Sequence, residues 1–189
     1  ETACLADRIA PMLNEIRAGA RDTEKSGRVP ACNIDLLRSA GYFDIVKPGR
    51  FGGAEGSFAE LVDANIELSS ACASTGWVAG LLSAHQWLLA MFDERVQQDV
   101  WGSNPDAWAA GSLAPHGDAR PVDGGWRVSG RWPWASGCLH AQWAACGIHM
   151  NNDKGETVNF GLSLMPMTDL TIEDTWFMAG MKGTGSHDF

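Results

Sequence analysis

Two groups of residues in this 189-residue sequence have types and spacing that could do chemistry. The first surrounds His85, a polar residue in the middle of a stretch that is otherwise apolar, with Trp77, Val78, Leu81, Leu82, Trp87, Leu88 and Leu89 as neighbours. Trp77, Leu81 and His85 stand four apart, the spacing that places side chains on one face of a helix. Burying an imidazole costs free energy unless it gains a partner. Two readings are therefore open: a core histidine bonded to a backbone carbonyl, or a histidine that lines a ligand cavity with Trp77 and reaches a polar substrate atom. The second group is Gly130-Arg131-Trp132-Pro133-Trp134-Ala135-Ser136-Gly137. Pro133 cannot join a central strand, so the segment reads as a rigid, irregular strand end. It could offer backbone N–H groups and the Ser136 hydroxyl to a flat heterocycle. An ordinary turn carrying core tryptophans fits the spacing equally well.

The elements that must hold these residues fall into two kinds. Leu5, Ile9, Leu13 and Ile16 recur at helical spacing, with Pro11 expected to kink or restart the helix. Pro30 opens a short helix through Leu36 and Leu37 that Gly41 closes. Phe43 to Val46 reads as a short extended piece, followed by a Gly-rich loop from Gly49 to Gly56. Ser57 and Glu60 have capping-box spacing ahead of a helix carrying Phe58, Leu61, Val62 and Leu68. Ser74 is placed to cap the next helix, which runs to Met91 and is apolar nearly all round, as a helix buried inside a protein would be. Asp93 caps a shorter helix ending near Trp101. At Asn104-Pro105 the character changes. Turn signals become frequent, and strand-like runs lie at Trp126 to Val128, Gln142 to Ile148 and Val158 to Leu164, with Asp123-Gly124 as a hairpin turn. The chain ends at Phe189 in what reads as the start of another strand. The expected fold is α+β: a helical domain over residues 1–104, then a β domain over residues 105–189.

Composition narrows the function classes. With 45% hydrophobic and 20% charged residues the chain is ordinary for a globular protein, which argues against disorder. A formal net charge of −9 disfavours nucleic acid as a partner. No apolar stretch is long enough to span a bilayer, so no membrane association is expected. The cysteines, Cys4, Cys32, Cys72, Cys138 and Cys146, are odd in number and form no C-x-x-C pair, which points to a reducing, cytoplasmic setting. The histidines show no metal-ligand spacing, and no metal is expected. No G-x-G-x-x-G supports a dinucleotide site, and Gly49 to Gly56 and Gly183-Thr184-Gly185 read as plain turns. Seven of the nine tryptophans fall between Trp87 and Trp143. They either fill a core or wall a dry pocket for a flat ligand.

The order of the helical region, Ser112-Leu113-Ala114-Pro115, Asp123-Gly124-Gly125-Trp126, Gly130-Arg131-Trp132 and Trp134-Ala135-Ser136-Gly137 resembles the acyl-CoA dehydrogenase-like superfamily. More narrowly it is similar to the two-component flavin-dependent monooxygenases of that fold, the oxygenase components of 4-hydroxyphenylacetate and steroid-phenol hydroxylases. The resemblance extends from Arg28-Val29-Pro30 to Gly183-Thr184-Gly185-Ser186. Acyl-CoA dehydrogenases typically carry Thr-Glu-Pro and then Gly-Ser-Asp where this chain has Leu113-Ala114-Pro115-His116-Gly117-Asp118. The Ser-x-Ala-Pro of Ser112 to Pro115 and the W-x-x-x-S-G of Trp132 to Gly137 match the monooxygenases instead.

The resemblance implies a β-barrel-type middle domain and a C-terminal four-helix bundle that this sequence lacks. It implies reduced flavin, FMN or FAD, reacting with O₂ to a C4a-hydroperoxide that hydroxylates a small aromatic or phenolic substrate. A separate flavin reductase and a homotetramer complete the implied system. Residue by residue, His85 and Ser136 match catalytic positions. Trp77, His85 and Ser112 match substrate-binding positions, and Ser112, Leu113, Trp134, Ala135 and Ser136 cofactor-binding ones. An FAD-dependent acyl-CoA dehydrogenase and a truncated, non-catalytic binding or assembly chain are the alternatives.

Overall fold

A computed structural model describes residues 3–189. The helices come first: α1 (Leu5–Ile9), α2 (Leu13–Ala18), α3 (Ala20–Ser26), α4 (Ala31–Ser39), α5 (Phe58–Ala71), α6 (Ala73–Leu89) and α7 (Glu94–Trp101). The strands follow: β1 (Ala109–Val122), β2 (Gly125–Gly130), β3 (Trp143–Asn151) and β4 (Thr157–Pro166). Pro11 falls in a 3₁₀ turn between α1 and α2, so the helix restarts there rather than ending. Leu5, Ile9 and Ile16 are fully buried, as their spacing requires. Ser57 caps α5, its hydroxyl accepting from the Glu60 N–H at 3.1 Å.

Three local expectations are corrected. Tyr42–Asp44 is a 3₁₀ turn after left-handed Gly41, not part of an extended piece. A strand would turn alternate residues outward, whereas Tyr42, Phe43, Ile45 and Val46 all enter the helical core. The helix expected to be capped by Ser74 begins two residues earlier, with Cys72 at the cap position, and the Ser74 hydroxyl instead reaches Glu24 at 3.2 Å.

The third correction concerns α6, which is not buried all round. Its inner face carries polar Thr75, Ser83, His85 and Gln86, while Trp77 and Trp87 are about half exposed. Each buried polar side chain is a staple to another element. Thr75 meets Asn33 at 3.1 Å, Ser83 donates to the Tyr42 carbonyl at 3.3 Å, and Gln86 donates to the Ala107 carbonyl at 3.3 Å. Counting apolar residues could not reveal which side of the helix would find such partners.

The strands form one open sheet in the order β2-β1-β3-β4, with no closed barrel among the described residues. β1–β2 and β3–β4 are antiparallel, and β1–β3 is parallel. The turn at Asp123-Gly124 joins β1 to β2 as expected. β1 itself was not foreseen, because its Gly, Pro, His and Asp residues mask a strand pattern. Its register against β3 slips between Ser112 and Pro115, a bulge that swings Leu113 outward to 47% exposure. At the chain's end, Phe189 and Trp132 exchange two backbone hydrogen bonds of 2.7 and 3.0 Å. Of the tryptophans, Trp101, Trp108 and Trp132 fill cores, while Trp77, Trp87, Trp126 and Trp134 stay about half exposed or more.

Candidate active site

Three segments meet around the proposed chemistry: the middle of α6, the bulged start of β1, and the irregular stretch from Trp132 to Gly137. His85 projects from α6 toward β1. Its Nδ1 lies 3.0 Å from the Ala109 carbonyl oxygen. A carbonyl only accepts, so Nδ1 carries the proton and Nε2 presents a lone pair. Burial pushes the imidazole pKa down, and the Ala109 bond offsets this only in part. His85 is therefore neutral at pH 7.

Nε2 has no partner in the protein. The fully buried unpartnered side-chain nitrogens and oxygens, among the described residues, are Arg8 Nε and Gln86 Oε1, so the Nε2 edge is not sealed. Gly111 makes room for it: a Cβ at that position would sit 2.7 Å from Nε2. Gly111→Ala is accordingly expected to displace the ring and to lower product formation by about tenfold. Steady-state product assay of the variant checks this, and unimpaired turnover would place the chemistry elsewhere.

Next to Gly111, the Ser112 hydroxyl donates to the Pro133 carbonyl at 2.8 Å and ties β1 to the irregular segment. Trp134, two residues before Ser136, has φ +61°, a left-handed conformation costly for a bulky residue. Its surroundings impose it. The Trp134 N–H reaches Asp188 at 3.3 Å, the Ala135 N–H donates to the His187 carbonyl at 2.9 Å, and Asp188 is paired with Arg131 at 3.0 Å. Gly137, at φ +87°, lets the chain turn back against Leu82 of α6. The Ser136 N–H closes a tight turn onto the Trp134 carbonyl at 2.9 Å. The backbone donors of Trp134, Ala135 and Ser136 are thus engaged within the chain, and the Ser136 side chain is the polar group this segment offers.

That hydroxyl accepts from the Trp77 indole N–H at 2.9 Å and contacts Ser186 at 2.6 Å. Ser186 in turn lies 2.8 Å from the Thr184 hydroxyl, which donates to the Met181 carbonyl at 2.9 Å. The structure therefore brings Trp77, His85, Ser112, Leu113, Trp134, Ala135 and Ser136 into one neighbourhood. Trp77 and His85 do not share a face strictly: eight residues apart, they differ by about 80° around the helix axis, and their exposures are 47% and 7%.

Sequence reasoning missed Gly111, Ser186, Thr184 and Glu24. The Gly183-Thr184-Gly185 turn looked like a connector, yet it carries the hydroxyls behind Ser136. Glu24 fixes that turn from α3, accepting the N–H groups of Lys182 and Gly183 at 3.0 Å each. No local pattern joins residues so far apart in sequence. The Gly183 hydrogen bond, ahead of the others, lowers the Glu24 pKa. A lowered pKa gives stability that is present above the ordinary carboxylate value and lost as pH falls through the folded value. Glu24→Gln is expected to lower Tm by about 3 °C at pH 7, and the gap is expected to shrink as pH falls below the ordinary carboxylate value. Thermal melts of both proteins across that range check it, and a pH-independent gap would count against the charge.

The available groups suit a flat heterocycle with a polar edge. Ser136 keeps one of its three hydrogen-bonding positions free after Trp77 and Ser186, and Trp77, Leu113 and Trp134 leave 47%, 47% and 64% of their surfaces exposed beside it. Among the described residues no group of three or more His, Cys, Asp or Glu side chains could hold a metal ion, and no helix is long and apolar enough to cross a membrane.

Comparison with known proteins identifies the family and the fold. The family description "Acyl-CoA dehydrogenase, N-terminal domain" matches residues 5–101. The oxygenase component of FADH(2)-dependent resorcinol hydroxylase from Rhizobium sp. is 57% identical over 183 residues, 96% of this chain and 44% of that protein. The crystal structure of the HsaA monooxygenase from M. tuberculosis superposes with a TM-score of 0.94 at 39% identity, covering 98% of this chain and 50% of that one. XiaF from Streptomyces sp., in complex with FADH2 and glycerol, superposes with a TM-score of 0.92 at 30% identity, covering 97% of this chain and 46% of that one. The chain spans about half the length of the curated relatives it matches. It belongs to the acyl-CoA dehydrogenase family, in the branch of flavin-dependent two-component oxygenases.

Proposed function

We propose that this protein is the oxygenase component of a two-component flavin-dependent monooxygenase that hydroxylates a small phenolic or related aromatic substrate. The observation that carries the reading is His85, a neutral imidazole whose Nδ1 proton is tied to Ala109 and whose Nε2 lone pair is left without a protein partner. An acceptor held in that way takes a hydrogen bond from a phenol O–H. Drawing the proton toward Nε2 makes the ring carbons more nucleophilic. Reduced flavin, when bound, supplies the electrons that activate O₂ for transfer of one oxygen atom to the ring.

The chain's own residues bind, orient and exclude water. Trp77, His85 and Ser112 line the substrate side, and Ser112, Leu113, Trp134, Ala135 and Ser136 the flavin side. The exposed faces of Trp77, Leu113 and Trp134 become a dry wall when the ligands cover them. Names of relatives that describe them as oxygenase components support a separate flavin reductase as partner. We further propose a homotetramer, carried by the family resemblance. The half-exposed Phe58, Val62, Ile66 and Trp87 of α5 and α6 leave apolar surface for further packing. The free cysteines support a cytoplasmic setting. The division at residue 104, between α7 and β1, separates the helical unit from the β unit.

Anaerobic titration of the complete protein with reduced FMN and reduced FAD tests the reading. Saturable binding of at least one, with a perturbed flavin spectrum, is the expected result. Binding of neither overturns it, and bleaching of bound FAD by an acyl-CoA would assign the site to a dehydrogenase.

A further inference from the structure

A separate cleft, of about 820 Å³, opens between the end of α3 and the irregular segment from Ile172 to Lys182. Its lining includes none of the residues assigned above to substrate or flavin. The volume is that of a small-molecule site. Lys25, Arg28 and Lys182 line it, in a chain whose formal net charge is −9. Among the described residues these cations form no ion pair, whereas Arg38, Lys47 and Arg131 each do. The two carboxylates in the lining do not pair with them. Glu24 is held by the N–H groups of Lys182 and Gly183 and by the Ser74 hydroxyl, and the Asp174 side chain is 80% exposed beside His187. Unpaired cations around a concave surface raise the local concentration of anions.

The fourth polar group is directional. His187 Nδ1 accepts the N–H groups of Thr175 and Trp176 at 3.2 and 3.3 Å, so Nε2 carries a proton in the neutral ring as well as in the charged one. Nε2 makes no hydrogen bond among the described residues and is not one of the sealed side-chain atoms, so its N–H is open where His187 lines the cleft. The remaining lining is apolar and partly aromatic. Trp176 is fixed by its indole N–H, which donates to the Met181 carbonyl at 2.9 Å. Phe177 beside it leaves 77% of its surface exposed. A small inorganic anion would leave these rings uncovered.

We infer that this cleft is a second binding site, for a flat aromatic ring that carries a carboxylate or phosphate group. Lys25, Arg28 and Lys182 supply the charge, the His187 Nε2–H gives the anion a directed hydrogen bond, and Trp176 and Phe177 cover the ring. The inference stands apart from the flavin reading, because it uses no residue of the site proposed for flavin.

The test is titration calorimetry of the complete protein with phenyl phosphate and with benzoate. Inorganic phosphate supplies the charge without the ring, and benzyl alcohol the ring without the charge. At least one of the two aromatic anions is expected to bind saturably, about tenfold tighter than either control and more weakly as salt is added. The tighter of the two names the anionic group. Arg28→Gln and Lys182→Gln should each weaken that binding by about tenfold. Phe177→Ala should weaken the aromatic anion and leave inorganic phosphate unaffected. All three side chains are exposed, so these variants keep the fold. Ser112→Ala, in the proposed active site, should leave the binding unchanged. Inorganic phosphate bound as tightly as phenyl phosphate would reduce the cleft to a patch of charge and overturn the inference. So would binding of neither aromatic anion. Binding lost in Ser112→Ala but kept in the cleft variants would put the ring in the active site and overturn it as well.

Discussion

Replacing His85 with alanine is expected to lower aromatic hydroxylation by about a hundredfold while flavin affinity stays nearly unchanged. The protein leaves Nε2 unpartnered at the site, and the other unpartnered acceptor on α6, Gln86 Oε1, is an amide oxygen without the basicity to draw a phenol proton. The Ser112 oxygen keeps lone pairs of its own, but its proton is spent on Pro133 and it has no basicity to draw a phenol proton. Loss of the Nδ1–Ala109 bond also costs about 1–3 kcal/mol of stability, so the assay belongs well below the variant's melting temperature.

The pH dependence has a defined sign. The His85 pKa is held below the ordinary histidine value by burial. The unfolded chain therefore takes up this proton first, and stability falls as pH drops below the ordinary value toward the folded one. Hydroxylation likewise holds to lower pH than an exposed histidine would allow, and is lost when the imidazole charges. A turnover profile with no acid limb assignable to His85, or full activity of His85→Ala on the true substrate, would remove the residue from the mechanism.

The second large effect is expected at Ser136. Ser136→Ala should raise the share of O₂ wasted as H₂O₂ relative to hydroxylated product by about tenfold, the equivalent of one hydrogen bond worth about 1.4 kcal/mol. The hydroxyl is held on two sides, by Trp77 and by Ser186, so its position is fixed before any ligand arrives. Removing it also strands the Trp77 indole N–H, which loosens one wall of the site. Product and peroxide counted in the same reaction decide the matter. An unchanged ratio would mean that Ser136 only braces the turn.

Much of this arrangement was legible in the residues. The spacing of Leu5, Ile9 and Ile16 identified a buried helical face, and Ser57 with Glu60 marked where α5 begins. Asp123-Gly124 located the β1–β2 hairpin. The core-histidine reading of His85 holds for Nδ1, which bonds the Ala109 carbonyl, while the substrate-contact reading is the proposal made for Nε2. Nδ1 is the satisfied core nitrogen, and Nε2 is the open one. What could not be read was whatever depends on contact between distant segments. The inner face of α6 is polar because the Tyr42, Ala107 and Ala109 carbonyls meet it there. β1 hides behind Gly111, Pro115 and Gly117, residues chosen for close approach and a bulge rather than for strand propensity. The Ser186 hydroxyl lies 50 residues from Ser136 in sequence, after a turn positioned by Glu24 from α3. Only the folded chain joins them.

The most direct test of the central claim is a single turnover. The complete protein, preloaded anaerobically with reduced flavin and with a phenolic substrate such as resorcinol, is exposed to ¹⁸O₂ without any reductase present. The account predicts a hydroxylated product carrying one ¹⁸O atom, formed in near-equal amount to the flavin oxidised. Oxidation of the flavin with peroxide as the sole oxygen product, across a panel of phenols, would contradict it.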